Sequence, residues 1–293
     1  MLAMPRVSPA ALLWMLGFAV LLGSCGSSKK PIVVGSKNET EQMLLGEIVA
    51  QHLEHRLGRP VERRTGLGDT AVLYQALLSG VVGVYPEYTG QIESDILKEQ
   101  ANSDPQIVLA RVRGQMDMMQ IEVLDPLGFN NPSAMVVSAQ GAEGIASLSD
   151  AARADKRWKL GIPYEFQSRS DGLQALAAYR IPMSSPRILD PKQLFPALAK
   201  GDVDMIATRA TDGHLTPDLK VLADDRKVFP PYEACLLVRK DLMAAEPGLR
   251  AALAELSGKI HADVIQKLNS EVDAHGRTPA AVASDFLSQA GLK

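Results

Sequence analysis

Few side chains in this 293-residue chain are placed to do chemistry. Glu87, Glu165, Asp171 and Asp212 are acidic groups of the kind used in acid–base catalysis. None accompanies a recognisable nucleophile–base pair, and no glycine-rich phosphate loop occurs in the sequence. His52 and His55 share one helix face without the partner of an HExxH pattern, and they are read as solvated rather than metal-binding. His214, His261 and His275 are scattered. What remains is recognition chemistry. Aromatic residues make up only 5% of the chain, so each tyrosine counts. A tyrosine face can hold a ligand cation. Arg169 and Arg209 carry guanidinium forks suited to a carboxylate. Lys37, Asn38 and Gln42 stand at the first strand–helix turn, where a helix N-terminus can accept an anion. The expectation is a binding site with no catalytic residue, no metal and no cofactor.

Each candidate has a plainer alternative. Tyr85 is core if the strand turns it inward, because alternate strand residues face opposite ways. Arg209 can swing away to pair with Asp204 or Asp212. Arg169 can brace its own loop through Asp171.

The elements that would position these groups alternate. Ile32-Val33-Val34 is a buried-type strand. From Glu39 to Leu57 the apolar residues Met43, Leu44, Ile48, Val49 and Leu53 fall on one helical stripe. Gly58-Arg59-Pro60 ends that helix. Val61–Arg64 is a second strand, Asp69 or Thr70 caps a helix to Leu78, and Val81–Tyr85 is a third strand. After Asp125 the alternation restarts. Strands are expected at 159–162, 187–189, 203–207 and 220–222, and helices at 171–179 and 192–199. The tail from Pro247 to Leu292 is mostly helical. Such alternation predicts an α/β fold in two lobes with largely parallel sheets. Ligands of such sheets sit outside the carboxyl ends of the strands.

Bulk composition narrows the function classes. The formal charge is −3, and the chain beyond residue 25 carries 30 basic and 34 acidic residues. That balance argues against nucleic acid, which needs a basic face. Residues 1–24 resemble a secretory signal: Arg6, then an apolar run from Ala10 to Leu22 that is short for a membrane span. Leu22-Gly23-Ser24-Cys25 resembles a bacterial lipobox, with Cys25 as the lipid attachment site, and residues 26–30 form a tether. An exported protein, periplasmic or at the cell surface and lipid-anchored to a bacterial membrane, is the expectation. The other cysteine, Cys235, lies in an apolar run and is read as core.

An ordered series of motifs carries a family resemblance. Gly35-Ser36-Lys37-Asn38-Glu39-Thr40-Glu41-Gln42 opens it. Gly66–Ala71, Ala76-Leu77 and Ser79-Gly80 follow, then Tyr85-Pro86-Glu87-Tyr88-Thr89-Gly90. Leu127-Gly128-Phe129-Asn130-Asn131, Arg169-Ser170-Asp171-Gly172, Thr211-Asp212-Gly213 and Phe229-Pro230-Pro231-Tyr232 complete it. Together they resemble the glycine betaine/carnitine/choline receptors of ABC importers. The resemblance implies a type II periplasmic-binding-protein fold with a hinge and an interlobe cleft. One lobe would comprise 31–134 with 236–293 and the other 135–235. It also implies a small compatible-solute-like ligand, permease and ATPase subunits as partners, and osmoprotection as the role.

The family's aromatic box falls here on Tyr88, Ser133, Arg209 and Tyr232, so two of its four positions are not aromatic. The residue after Tyr88-Thr89-Gly90 is Gln91 rather than threonine. A fixed charge at Arg209 would repel a cation at 4–5 Å by roughly 3–4 kcal/mol. The expected ligand is therefore of the glycine betaine/choline class by family, or a carboxylate-bearing zwitterion by residues, with Thr89, Gln91 and Ser133 adding polar contacts. A periplasmic sensor or binding protein without a transport role is the alternative, with an enzyme behind it.

Overall fold

The computed structural model describes residues 31–293; the leader, Cys25 and the tether lie outside the described residues. Ten strands form two five-stranded sheets. The first is ordered β2-β1-β3-β10-β4, from β1 (Ile32–Gly35), β2 (Val61–Arg64), β3 (Val84–Tyr88), β4 (Ile121–Val123) and β10 (Ala234–Arg239). The second is ordered β7-β6-β8-β5-β9, from β5 (Ser133–Ser138), β6 (Leu160–Ile162), β7 (Arg187–Ile188), β8 (Met205–Arg209) and β9 (Leu219–Leu222). The fold is α/β and two-lobed, one sheet to each lobe.

Both sheets are mixed rather than largely parallel. β2, β1 and β3 run parallel, as do β7, β6 and β8. β10 is antiparallel to β3 and β4, and β5 is antiparallel to β8 and β9. The reason is topological. β5 and β10 are the strands on which the chain passes between lobes, so each starts where its neighbours end. Ala234 opens β10 opposite Tyr88, and Ser133 opens β5 opposite Arg209. The carboxyl ends of β3 and β8 are thereby brought to the crossing.

Local chemistry sets the helices. α1 (Thr40–Leu57) ends on Gly58, whose φ of 61° takes the left-handed turn while its N–H bonds Glu54 O. α2 (Thr70–Leu78) is capped by Asp69, which accepts from Val72 N at 3.0 Å. α3 (Pro105–Met118) completes the first lobe's outer face. In the second lobe, α4 (Leu148–Arg153), α5 (Tyr164–Ser168) and α6 (Pro191–Ala199) surround the sheet. α7 (Leu249–Ala254), α8 (Ala262–Asp273) and α9 (Pro279–Gln289) follow β10 and return to α1. The buried stripe Leu44, Leu45, Ile48, Val49 and Leu53 shares one core with Val282, Phe286 and Leu287 of α9. Each such leucine or isoleucine contributes about 1.5–3 kcal/mol by leaving water.

Three further expectations are corrected. His52 is not solvated: it is fully buried, with Nδ1 2.8 Å from Leu292 O and Nε2 2.8 Å from Ala252 O. The C-terminal tail folds over α1 and covers it. The third strand begins at Val84 and runs through Pro86 to Tyr88. β1 pairs with β3 only at Val34–Val84, so beyond that point β3 has one neighbour and Pro86 deprives no second strand of a bond. The helix expected over 171–179 starts only at Leu173, because Gly172 adopts φ −104°, ψ −118°. Cys235 is buried, and desolvation pushes its thiol up.

Candidate functional site

Two chain crossings and one helix join the lobes. Asn130 bridges Glu233, and Asn131 N donates to Tyr232 O at 3.0 Å. Tyr232 N donates to Asn130 Oδ1 at 2.6 Å. Thr89 N donates to Glu233 O at 3.0 Å, while Thr89 Oγ1 accepts from Glu233 N at 3.1 Å. Thr89 thus ties the end of β3 to the returning chain. On the other side α8 supports the turn after β8. Asn269 Nδ2 donates to Thr211 O at 2.9 Å, and Gln266 Nε2 to Leu215 O at 2.9 Å. Gly213 permits that approach, since a Cβ there would stand 2.7 Å from the Asn269 carbonyl carbon.

The first lobe's wall is built on Lys37, Gln42, Tyr88 and Gln91. Lys37 is buried, and its ammonium donates to Glu87 Oε1 at 2.7 Å, Gln91 Oε1 at 2.6 Å and Thr70 Oγ1 at 3.4 Å. An ammonium has three donors, so all of them are committed within this lobe. Burial raises the Glu87 carboxyl above its ordinary value despite the lysine beside it. Lys37 Nζ also lies 4.9 Å from the centroid of the Tyr88 ring. Gln42 is completely buried, and its carboxamide comes near the Tyr88 hydroxyl, yet neither its nitrogen nor its oxygen has a hydrogen-bond partner. Asn38 is different: its side chain is exposed, and its N–H donates to Gly68 O at 3.1 Å. Tyr85 lies in the apolar core behind the strand.

Glu41 is the residue that sequence reasoning missed. It is buried at the centre of the hinge and accepts four side-chain bonds. Tyr88 Oη and Asn131 Nδ2 (2.9 Å) donate to Oε1, and Thr211 Oγ1 (2.5 Å) and Asn269 Nδ2 (2.7 Å) to Oε2. Burial raises its pKa, and the four hydrogen bonds oppose that rise. A carboxylate next to Gln42 in the opening motif was the available signal, but the four donors come from four distant segments.

The second lobe's wall is cationic and aromatic. Arg169 forks onto Asp171, with Nε to Oδ1 at 2.8 Å and Nη2 to Oδ2 at 2.9 Å. Its Nη1 lies 3.6 Å from Asp95 of the first lobe, and Nη2 also donates to the Tyr232 hydroxyl. Burial works against this charge, but the Asp171 bonds prevail and raise the arginine's pKa; the carboxyl of Asp171 is held below its ordinary range by the same fork. Tyr232 donates its hydroxyl to Asp171. One side of its ring lies against Gly90, where a Cβ would come within 2.8 Å of the ring. Arg209 Cζ stands 4.8 Å from the Tyr232 centroid. It pairs with neither Asp204 nor Asp212, which are taken by Lys156 and by Thr208 and His214. Arg209 Nη1 is shut from solvent without a partner. Half-buried Ser133 faces it across the β5–β8 ladder.

The two tyrosine rings lie 6.3 Å apart at 48°. Lys37 is neutralised by Glu87 and Arg169 by Asp171. No carboxylate among the described residues pairs with Arg209, although Asp171 feels its charge at longer range. The site thus brings together Lys37, Gln42, Tyr88, Gln91, Arg169, Arg209 and Tyr232, with Ser133 at its edge. Thr89 belongs to the hinge and Asn38 to an exposed turn. A concavity of about 830 Å³ elsewhere, lined by Arg113, Asp117, Glu122 and Lys240 among others, holds these charges in pairs with one another or with neighbours. No group of three His, Cys, Asp or Glu side chains suited to a metal occurs among the described residues.

Residues 30–289 match the family described as the substrate-binding domain of the ABC-type glycine betaine transport system. The chain is 32% identical over 288 residues to the carnitine transport binding protein OpuCC of Listeria monocytogenes, covering 94% of each chain. It is 31% identical over 272 residues to the ergothioneine transport permease/ergothioneine binding protein EgtU of Helicobacter pylori, covering 90% of this chain and 48% of that protein. Its structure is similar to that of a glycine betaine/carnitine/choline ABC transporter protein, with TM-score 0.82, 26% identity and coverage of 89% of this chain and 99% of that one.

Proposed function

The chain belongs to the family of substrate-binding domains of ABC-type glycine betaine transport systems, and we propose that it captures a small carboxylate-bearing zwitterion between Tyr88, Tyr232 and Arg209. As a member it is an extracytoplasmic solute-binding receptor of an ABC importer, whose role is to bind and deliver rather than to catalyse. The observation that carries the ligand reading is the state of the two tyrosines. Lys37 and Arg209 already stand over their rings, at 4.9 and 4.8 Å. A bare quaternary ammonium would meet protein cations there instead of empty π faces. The partnerless Arg209 donor asks for an acceptor, and a ligand carboxylate supplies one in charge-assisted form.

The remaining residues take supporting roles in this reading. Lys37 and Gln91 hold the Tyr88 side of the site. Arg169 and Asp171 orient the Tyr232 hydroxyl and reach across to Asp95. Ser133 flanks Arg209, and Thr89 and Glu41 hold the hinge. We assign the lobes to 31–134 with 236–293 and to 135–235; the sheet membership of β1–β4 and β10 against β5–β9 supports this to within two residues at each crossing. We further propose that Cys25 is lipidated, holding the receptor at the membrane surface beside permease and ATPase subunits. Several acyl chains bind firmly, at about 0.8 kcal/mol per buried methylene.

A thermal-shift screen of residues 31–293 tests the ligand class. Choline, glycine betaine, carnitine, ergothioneine, amino acids and dicarboxylates form the panel. A ligand in hundredfold excess over Kd stabilises by about 2.7 kcal/mol. Zwitterions with a carboxylate are expected to shift the transition and choline is not. A shift with choline alone contradicts the proposal.

A further inference from the structure

We propose that the amino-terminal end of the first lobe's sheet is a lipid-facing surface, which rests Leu78, Val81, Met118 and Met119 on the bilayer and turns the candidate site away from it. The partner is the membrane surface itself. The inference deepens, and rests on, the reading of Cys25 as the lipid-bearing residue.

The register of the first sheet brings several segments to one end. Ile32 pairs with Val61, and Val84, Val238 and Glu122 stand level with Val34. The loops that precede β3 and β4, and the exit from β10, therefore emerge at the end where β1 begins. α2 and α3 finish there too, at Leu78 and Met118. Hydrogen bonds join these segments into one surface. Gly83 N donates to Val33 O at 2.9 Å, Arg239 N to Gly83 O at 3.0 Å and Lys240 N to Gln120 O at 3.0 Å. Arg239 Nη1 donates to Leu77 O at 2.8 Å and Leu78 O at 2.9 Å, and the Tyr74 hydroxyl donates to Met119 Sδ at 2.8 Å. Of the large apolar side chains that the described residues leave exposed, Leu78 and Val81 (41% each), Met118 (74%) and Met119 (40%) share this end. The charges among them are paired, Arg239 with Asp241 and Lys240 with Asp117. Single exposed apolar residues are ordinary, but clustered ones mark contacts with protein or membrane. Chain length decides between the two. Cys25 is seven peptide steps from Ile32, at most about 25 Å when fully extended. That is roughly half the breadth of a globule of this length. An acylated Cys25 therefore keeps this end of the sheet nearest the bilayer, while the carboxyl ends of β1 and β3 point outward, toward Lys37 and Tyr88. Lys29 and Lys30 add positive charge between anchor and β1, which attracts anionic lipid headgroups.

The test uses the mature lipidated chain in protein-free vesicles of phosphatidylethanolamine and phosphatidylglycerol that carry a lipid-borne quencher. A fluorophore is attached through Ser79→Cys at the proposed surface, or through Leu67→Cys, which follows β2 at the opposite end of the same sheet. Cys235 is buried and does not compete for the label. Quenching is expected at position 79 and not at position 67. Replacing the four apolar side chains (Leu78→Ser, Val81→Ser, Met118→Gln and Met119→Gln) should abolish quenching at position 79, while the protein still floats with the vesicles and keeps its melting temperature. No quenching at position 79, equal quenching at both positions, or quenching at 79 that survives the four substitutions overturns the inference and leaves the anchor standing. An unquenched label at position 79 together with a dimer that the four substitutions dissociate assigns the surface to a second copy of the chain instead. A mature protein whose mass shows no lipid on Cys25, and which does not float with the vesicles, overturns the anchor reading and this inference together.

Discussion

Replacing Arg209 by leucine should reverse the preference of the site between cations and zwitterions. The guanidinium lies 4.8 Å from the Tyr232 centroid. A ligand cation at that separation from it is repelled by about 3.5 kcal/mol at an effective dielectric constant of 20, and one about twice as far by half as much. The other side of the ring offers little refuge, because Gly90 lies against it. Removing the charge should therefore tighten choline by a factor between about ten and a few hundred, at 1.4 kcal/mol per decade. A carboxylate ligand loses a charge-assisted hydrogen bond worth about 1.5–3 kcal/mol. Glycine betaine has both ends, so its affinity should change much less than that of choline. Calorimetric titration of both ligands against wild type and Arg209→Leu measures the ratio directly, with melting temperatures as the control for folding. Equal choline affinity in the two proteins would refute the electrostatic argument.

Other perturbations separate the hinge and the scaffold from the ligand contacts. Gly90→Ala would set a Cβ 2.5 Å from Pro231 O and 2.8 Å from the Tyr232 ring; overpacking of this kind costs about 1–3 kcal/mol, so melting temperature and ligand affinity should both fall. Lys37→Met leaves Glu87 buried without its cation and should cost about 3–5 kcal/mol in denaturant unfolding, much of it recovered in Lys37→Met/Glu87→Gln; a silent single variant contradicts the pairing. Burial raises the Glu41 pKa above its ordinary 4.5, so the folded state holds that proton more tightly than the unfolded chain. Its contribution to stability therefore falls as pH rises from 4.5 through the folded value. The stability of wild type minus that of Glu41→Gln should decline over that interval, whereas parallel pH curves would contradict it.

Much of this was legible because the family's motifs are contiguous. The residues around Tyr88, Arg169, Thr211 and Tyr232 announced themselves by local sequence, and β3, β8 and the two crossings bring those segments together at the hinge. Strand ends were harder. The third strand was expected to stop at Tyr85, and only the absence of a second neighbour beyond Val34–Val84 lets Pro86 stay in it. The antiparallel strands β5 and β10 could not be anticipated from periodicity, because their direction follows from where the chain changes lobes. Lys37 looked available to an anion, and its partners Glu87 and Gln91 lie 50 and 54 residues away. Glu41 was invisible for the same reason, its donors coming from residues 88, 131, 211 and 269. Local pattern identifies which side chains a site will use; it does not say which of them the fold will already have satisfied.

The most direct test of the account is a crystal structure of residues 31–293 with the tightest ligand from the screen. The ligand carboxylate is predicted on Arg209, with the rest of the solute lying across Tyr88 and Tyr232 and Lys37 still bound to Glu87. A quaternary ammonium seated between the two tyrosines with Arg209 turned out of the cleft, or a ligand bound away from the hinge, would contradict it.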